Sequence, residues 1–162
     1  GLITVQILRA ITGAAVYVTD MKPEAVAKAE EYGAIGIPAG DDQADRIREL
    51  TGGRGVDAVF DNVGVTPTMQ LAQRVVAQQG RITIVGIAGG SVDWNFYTNP
   101  YEAVITNTYW GTIEDLYDVV ELYKAGQIVP EIERFTMDQA LDAYQRLVDG
   151  TISGRAVVMP NS

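Results

Sequence analysis

The sequence contains no cysteine and no histidine among its 162 residues. The absence of cysteine excludes disulfide bonds, and the absence of both residue types removes the ligands that protein zinc sites normally use. Ser-His-Asp and Cys-His catalytic centres are excluded for the same reason. The 21 acidic residues are scattered and show no spacing typical of a catalytic carboxylate pair. The sequence by itself therefore predicts no catalytic site.

Positive charge is also scarce, since 12 basic residues stand against 21 acidic ones and the net charge is −9. Such a chain repels phosphate backbones and anionic lipid, so we expect a small molecule or another protein as its partner, and neither nucleic acid nor a membrane. The hydrophobic content of 47% and the charged content of 20% are typical of a globular domain. We expect one domain over residues 1–162, located in the cytoplasm.

Apolar segments of strand and helix type alternate along the first two thirds of the chain. This alternation predicts an α/β fold, a doubly wound parallel sheet of the Rossmann type with helices on both faces. Asp41 or Asp42 is expected to cap the third helix, and residues 112–115 and 136–139 resemble capping boxes. The predicted strands are 14–20, 35–38, 56–61, 81–85, 104–110 and 155–159, and the predicted helices are 2–11, 25–32, 42–50, 66–76, 112–125 and 136–148.

Asp20 ends the first predicted strand, about twenty residues after Gly1, which is the interval at which dinucleotide-binding folds place a ribose-binding carboxylate. A carboxylate there accepts hydrogen bonds from both ribose hydroxyls, whereas it would repel the 2′-phosphate of NADP. Asp20 therefore favours NAD. The alternative is that Asp20 only caps a turn or a helix.

The strand and the G-x-G-x-x-G fingerprint that should precede Asp20 are absent, except that Gly1 can be the last fingerprint glycine. The chain also does not begin with methionine, and we therefore expect it to be incomplete at its N-terminus. In the usual strand order the missing first strand is central. We expect another segment or a companion chain to fill this gap, because unpaired strand edges are costly.

Two further segments follow the ends of predicted strands. Asp61 ends one strand and is followed by Asn62, Val63 and Gly64, and the next strand ends in Val85-Gly86. Because parallel strands end at one edge of the sheet, these segments should lie near Asp20. The alternative for Asp61 is that its carboxylate only caps the next turn.

Several strings resemble the cofactor-binding half of the medium-chain alcohol dehydrogenase family, and in particular its bacterial NAD-dependent secondary alcohol dehydrogenases. They are residues 1–10, 61–64, 85–87, 109–112 and 153–155. The likeness covers the whole chain. One departure is that the basic residue expected five positions after the ribose acid is Ala25, and Lys22 can take its place.

The resemblance implies a role for each matching residue. Gly1 would lie under the pyrophosphate, Asp20 and Lys22 would hold the adenosine ribose, and Arg155 would pair with phosphate oxygens. Residues of two turns would contact the cofactor's ribose and nicotinamide. They are Asn62, Val63 and Gly64 in the first turn, and Val85, Gly86 and Ile87 in the second. Tyr109 and Trp110 would line the substrate pocket, although such aromatic residues also occur in cores and interfaces.

In that family a zinc-binding N-terminal domain completes the enzyme, and this chain lacks its ligands. The resemblance therefore implies hydride transfer between a secondary alcohol or ketone and NAD in the intact protein, with this chain inactive by itself. Two alternatives remain open: a zinc-independent quinone-reductase-like enzyme, which usually prefers NADPH, and a non-catalytic nucleotide-binding or assembly module. An edge strand over residues 104–110 also predicts a homo-oligomer.

Overall fold

A computed structural model describes residues 1–161. Seven strands and six α-helices alternate over these residues, with one turn of 3₁₀ helix before the last α-helix. The elements in chain order are α1 (Leu2–Ile11), β1 (Tyr17–Asp20), α2 (Pro23–Glu31), β2 (Ile35–Pro38), α3 (Gln43–Leu50), β3 (Val56–Asp61), α4 (Thr66–Val75), β4 (Val76–Ile84), β5 (Val104–Asn107), α5 (Ile113–Lys124), β6 (Ile132–Thr136), the 3₁₀ turn (Met137–Gln139), α6 (Ala140–Val148) and β7 (Arg155–Met159).

All described strand pairs are parallel, as the alternation of strands and helices predicted. They form three sheets, with the orders β1-β2, β3-β4-β5 and β6-β7. In the three-stranded sheet, Asp61 of β3 lies beside Ile84 of β4, which lies beside Asn107 of β5. The carboxyl ends of these strands therefore share one edge, and the turns that follow them meet there.

The strands β1 and β3 are not hydrogen-bonded to each other in the described part of the chain. Each has a partner on one side only, so the α/β fold is interrupted between them.

Helix α5 also lacks a packing partner for its apolar face among the described residues, because none of its residues is buried. Its apolar side chains at Leu116, Tyr117 and Tyr123 are all more than half exposed. A helix with an apolar face normally packs that face against another element.

The core follows the apolar faces of the helices. Val5 of α1 packs with Val16 and Ala29, and Ile82 of β4 packs with Ala72 of α4 in a separate cluster. Ile82 and Val76 are fully buried, and each such side chain contributes about 1.5 to 3 kcal/mol through burial. The two largest fully buried side chains therefore both belong to β4, the middle strand of the three-stranded sheet.

Several boundaries differ from the prediction. The first strand begins at Tyr17 rather than at residue 14, and β5 ends at Asn107 rather than at residue 110. The apolar sequence starts before the first paired residue of β1 and continues past the last paired residue of β5, so composition overestimated both strands. Strand β4 begins at Val76, but its register shifts after that residue and regular pairing starts at Arg81, as predicted.

Caps and one missed strand account for the other differences. Asp42 precedes α3 but makes no side-chain capping bond, whereas Thr112 and Asp115 form the predicted capping box of α5. The predicted helix after Thr136 starts as a 3₁₀ turn. Strand β6 was not predicted, because its sequence IERFT does not show the regular apolar-polar alternation of a strand. Its pairing partner, β7, is also distant in sequence.

Candidate functional site

Asp20 is exposed and ends β1 at the carboxyl edge. Its Oδ1 atom accepts a hydrogen bond of 2.9 Å from the backbone N–H of Lys22, so the carboxylate caps the turn into α2. Among residues 1–161, no group donates a hydrogen bond to Oδ2. One oxygen of Asp20 is therefore used by the fold, and the other faces solvent at the edge where α/β proteins bind ligands.

The Gly1 amino group lies close enough to Arg155 and to Asp20 for their charges to act on it. Gly1 as a residue is exposed, but nearby protein atoms desolvate its amino group and lower the pKa of that group. The Arg155 guanidinium lowers the same pKa further, and the Asp20 carboxylate opposes both effects. The fold thus brings together three predicted site residues that are far apart in sequence.

Lys22 belongs to the same corner, although its side chain points towards the C-terminal part of the chain. Its Nζ atom donates a hydrogen bond of 3.3 Å to the carbonyl oxygen of Gly150, in the turn after α6. Its backbone N–H binds Asp20. The Lys22 side chain therefore joins the β1-α2 turn to the segment between α6 and β7.

Asp61 differs from Asp20 because it is buried and both of its oxygens are occupied. Oδ1 accepts hydrogen bonds of 2.9 Å from the N–H groups of Val63 and Gly64, and Oδ2 accepts one of 2.8 Å from the Thr68 hydroxyl. The capping alternative for Asp61 is thus the observed one. The carboxylate fixes the main chain of the turn after β3.

The turns after β3 and β4 touch main chain to main chain. The Asp61 carbonyl accepts hydrogen bonds from the N–H groups of Val85 and Gly86, at 2.8 and 3.0 Å. Gly64 has φ +74°, and a Cβ there would overlap the Gly86 carbonyl, while a Cβ on Gly86 would overlap the main chain of Val63. Glycine is required at both positions because of this close approach.

Polar and apolar side chains surround these two turns. Asn62 is exposed, and its Oδ1 accepts a 3.4 Å hydrogen bond from the Thr4 hydroxyl of α1, a contact that sequence analysis missed. Val63 and Val85 are 49% and 40% exposed, and Ile87 is 95% exposed. An apolar surface of this kind, beside fixed main-chain groups, can cover the flat face of a ring.

Tyr109 and Trp110 follow β5 and pack on each other. Their ring centroids are 5.2 Å apart in an edge-to-face arrangement, and the residues are 86% and 81% exposed. They are therefore not core residues of the described chain. Two depressions, of about 280 Å³ beside Gln6 and Val129 and about 600 Å³ beside Arg48 and Tyr101, lie elsewhere and contain none of the predicted site residues.

The described residues do not fit a zinc site. No group of three or more metal-ligating side chains occurs within residues 1–161, and the whole sequence lacks cysteine and histidine. A zinc ion would need ligands from outside this chain. None of the described helices is long and apolar enough to cross a lipid bilayer.

The parallel sheets, their helices and the shared carboxyl edge define a Rossmann-type α/β domain. This chain belongs to the zinc-binding dehydrogenase family, whose sequence profile matches residues 1–125. The predicted resemblance is thereby confirmed.

Individual relatives match almost the whole chain. An NAD-dependent alcohol dehydrogenase of Sulfolobus acidocaldarius is 33% identical over 98% of this chain and 46% of its own length. D-arabinose 1-dehydrogenase (NADP(+)) of Saccharolobus solfataricus is 32% identical over 80% of this chain and 38% of its own length. The crystal structure of the alcohol dehydrogenase of Aeropyrum pernix is also similar, with a TM-score of 0.87 and 32% sequence identity. The match covers 99% of this chain and 47% of that one. The chain thus spans about half the length, or less, of these proteins.

Proposed function

We propose that residues 1–162 are the cofactor-binding domain of an NAD-dependent alcohol dehydrogenase that transfers hydride between a secondary alcohol or ketone and NAD. The observation that carries the proposal is Asp20, which ends β1 at the carboxyl edge and uses only one of its two carboxylate oxygens in the fold. The Gly1 amino group lies within electrostatic reach of Asp20 and of the Arg155 guanidinium. The carboxylate suits a ribose diol, and the guanidinium suits a pyrophosphate.

The adenosine half of NAD would lie along this corner. Asp20 Oδ2 would accept a hydrogen bond from a ribose hydroxyl, while Lys22 keeps the turn closed through its backbone N–H. Gly1 would allow the pyrophosphate to approach the start of α1, and Arg155 would bind its oxygens. A 2′-phosphate would meet the Asp20 charge, which is why we propose NAD although one relative is named for NADP.

The nicotinamide half would lie against the paired turns. NAD, when bound, supplies the hydride acceptor at its nicotinamide ring. The main chain of Asn62, Val63 and Gly64 is held by Asp61 and would orient the ribose and the carboxamide. The other turn, with Val85, Gly86 and Ile87, would place apolar side chains behind the ring and exclude water there.

We further propose that Tyr109 and Trp110 line the substrate pocket. Their exposed, mutually packed rings offer an apolar wall after β5. The alcohol, the zinc ligands and the proton transfer would involve residues outside this chain, so the chain alone would be inactive. A cytoplasmic location belongs to the same proposal, since an enzyme of this type needs the intracellular NAD pool.

The gap between β1 and β3 supports the proposal of an additional strand. Both strands have one unpaired edge among the described residues, and Phe60 of β3 is 39% exposed. We propose that a segment from outside this chain, or a companion chain, pairs with both edges. Hydrogen exchange of the full-length protein should then show protected amides throughout β1 and β3, and rapid exchange in both strands would contradict it.

The outer edge of β5 supports a homo-oligomer. This strand pairs only with β4 among residues 1–161, and Val104 is 41% exposed. Pairing of two such edges is a common way to build a symmetric dimer. Light scattering on the full-length protein should give at least twice the mass of one chain, and a monomer at micromolar concentration would contradict it.

The experiment that tests the function uses protein expressed from the complete reading frame. We expect oxidation of secondary alcohols with NAD, a much lower rate with NADP, and zinc in the purified protein. NADPH-dependent quinone reduction without zinc would favour the quinone-reductase-like alternative. A reading frame that starts at Gly1 after removal of methionine, with no dehydrogenase activity, would favour the non-catalytic module.

A further inference from the structure

Glu131, immediately before β6, binds helix α2 through its side chain. Its Oε1 atom lies 3.0 Å from Lys28 Nζ and accepts a 3.1 Å hydrogen bond from the Tyr32 hydroxyl. The hydrogen bond from the Lys28 ammonium is the main reason that the pKa of the Glu131 carboxyl lies below its ordinary value. The Lys28 and Glu131 side chains are only 36% and 28% exposed, so the contact is partly shielded from solvent. It joins residues about a hundred positions apart.

The main chain of Glu131 binds the start of β7. Its carbonyl oxygen accepts a hydrogen bond of 3.0 Å from the backbone N–H of Arg155. Gly154 has φ +77° and passes so close that a Cβ there would overlap the Glu131 carbonyl. One residue thus contacts α2 with its side chain and Arg155 with its backbone.

The turn before Arg155 is fixed within the C-terminal unit. The Glu133 carboxylate accepts a hydrogen bond of 2.5 Å from the Ser153 N–H and pairs with Arg146 at 2.7 Å. The Arg146 guanidinium also donates to the Thr151 carbonyl. The shape of this turn therefore does not depend on α2. What depends on α2 is where the whole β6-β7 unit, with Arg155, lies relative to Asp20.

Among residues 1–161, three groups of side-chain contacts help to set that relative position. The Gln6 side chain binds the N–H and the carbonyl of Val129, and Lys22 binds the Gly150 carbonyl at 3.3 Å. The Glu131 contact with Lys28 and Tyr32 is the only one of these that joins two charges. It also acts directly on α2, the helix that begins just after the Asp20 turn.

We propose that Glu131 is a positioning residue for nucleotide binding: through Lys28 and Tyr32 it fixes the main chain at Arg155 relative to α2, the helix that follows the Asp20 turn. The inference rests on the proposed function, because it requires that Arg155 binds the pyrophosphate. A guanidinium whose main chain is already held in place loses less freedom when the cofactor binds, so it contributes more to affinity. Glu131 itself does not touch the nucleotide.

The test uses the full-length protein with Glu131→Gln, which keeps the side-chain size and removes the charge. We expect the Kd and the KM for NAD to rise about three- to tenfold, as for neighbouring coupled groups, and kcat to stay within about twofold. Glu31→Gln is the matched control, because it removes the local 2.9 Å partner of the same lysine and leaves the Glu131 contact. The control should leave the NAD Kd unchanged.

A double-mutant cycle separates positioning from general stability. In an Arg155→Ala background, Glu131→Gln should no longer affect the NAD Kd, since the group it positions is gone. An equal loss in both backgrounds, or a lower thermal midpoint with an unchanged Kd, overturns the inference. If the unaltered protein binds no NAD, the proposed function fails and the inference with it. If NAD binds and Glu131→Gln binds it equally well, only the inference fails.

Discussion

The carboxyl ends of β1 and β3 carry the same residue type and the same local turn. Asp20 binds the N–H two residues on, and Asp61 does the same. They differ in exposure and in the number of hydrogen-bond donors around the carboxylate. Asp61 is 5% exposed and also accepts hydrogen bonds from Gly64 and Thr68, whereas Asp20 is exposed. An acid after a parallel strand is therefore not a functional signal by itself. The number of donors around it decides whether an oxygen remains for a ligand.

The two ends also differ in their support. Strand β3 lies in a three-stranded sheet, and its turn is held by main-chain contacts with the turn after β4. Among residues 1–161, strand β1 pairs only with β2, and its corner is joined to Gly150 and Glu131 through side chains of Lys22, Lys28 and Tyr32. The β3 side is thus stabilised by backbone geometry and the β1 side by polar side chains.

The largest expected effect is on the β3 side. Asp61→Ala leaves two N–H groups and one hydroxyl without their acceptor in a largely buried turn, so we expect a loss of about 3 kcal/mol in the free energy of unfolding. Urea denaturation of the full-length protein measures this. Asp61→Asn keeps an acceptor for the N–H groups and should lose less. Equal stability of wild type and Asp61→Ala would show that the three bonds contribute little.

A smaller effect on stability, with a larger one on specificity, is expected at β1. Asp20→Ala removes one exposed turn bond and should change the free energy of unfolding by only about 0.5 kcal/mol. The kcat/KM preference for NAD over NADP should fall about tenfold, because the charge that repels the 2′-phosphate is gone. Asp20→Asn can keep the bond to Lys22 and should show the same loss of preference. An unchanged preference in both variants would contradict ribose binding by Asp20.

The smallest expected effect is the pH dependence of the contact between Glu131 and Lys28. The folded pKa of Glu131 lies below its ordinary value of 4.5, so ionised Glu131 stabilises the fold above that pH. The stabilisation is lost as the pH falls from about 4.5 through the lowered folded pKa. The difference in urea midpoint between wild type and Glu131→Gln should be constant from neutral pH down to this window and shrink within it. A difference that grows on acidification would contradict the sign.

Local sequence signals predicted much of the fold and the position of the candidate site. Hydrophobic periodicity gave β2, β3 and β7 with the observed boundaries, and the Thr112 box gave the start of α5. The Asp20 spacing and the resemblance predicted nucleotide-binding roles for Asp20, Gly1 and Arg155, and these roles stay predictions. The predicted strand start at 14 and strand end at 110 were wrong, because apolar composition does not reveal where strand pairing begins and ends.

The sequence by itself determined that two strands, β1 and β3, would end in aspartate, since periodicity and turn chemistry act over a few residues. Only the tertiary structure decided that Asp61 is used up by Gly64 and Thr68 while Asp20 keeps an oxygen. It alone paired β6 with β7 and brought Glu131 to Lys28. The last two contacts join residues about twenty to a hundred positions apart, and nothing in the local pattern of either partner specifies the other.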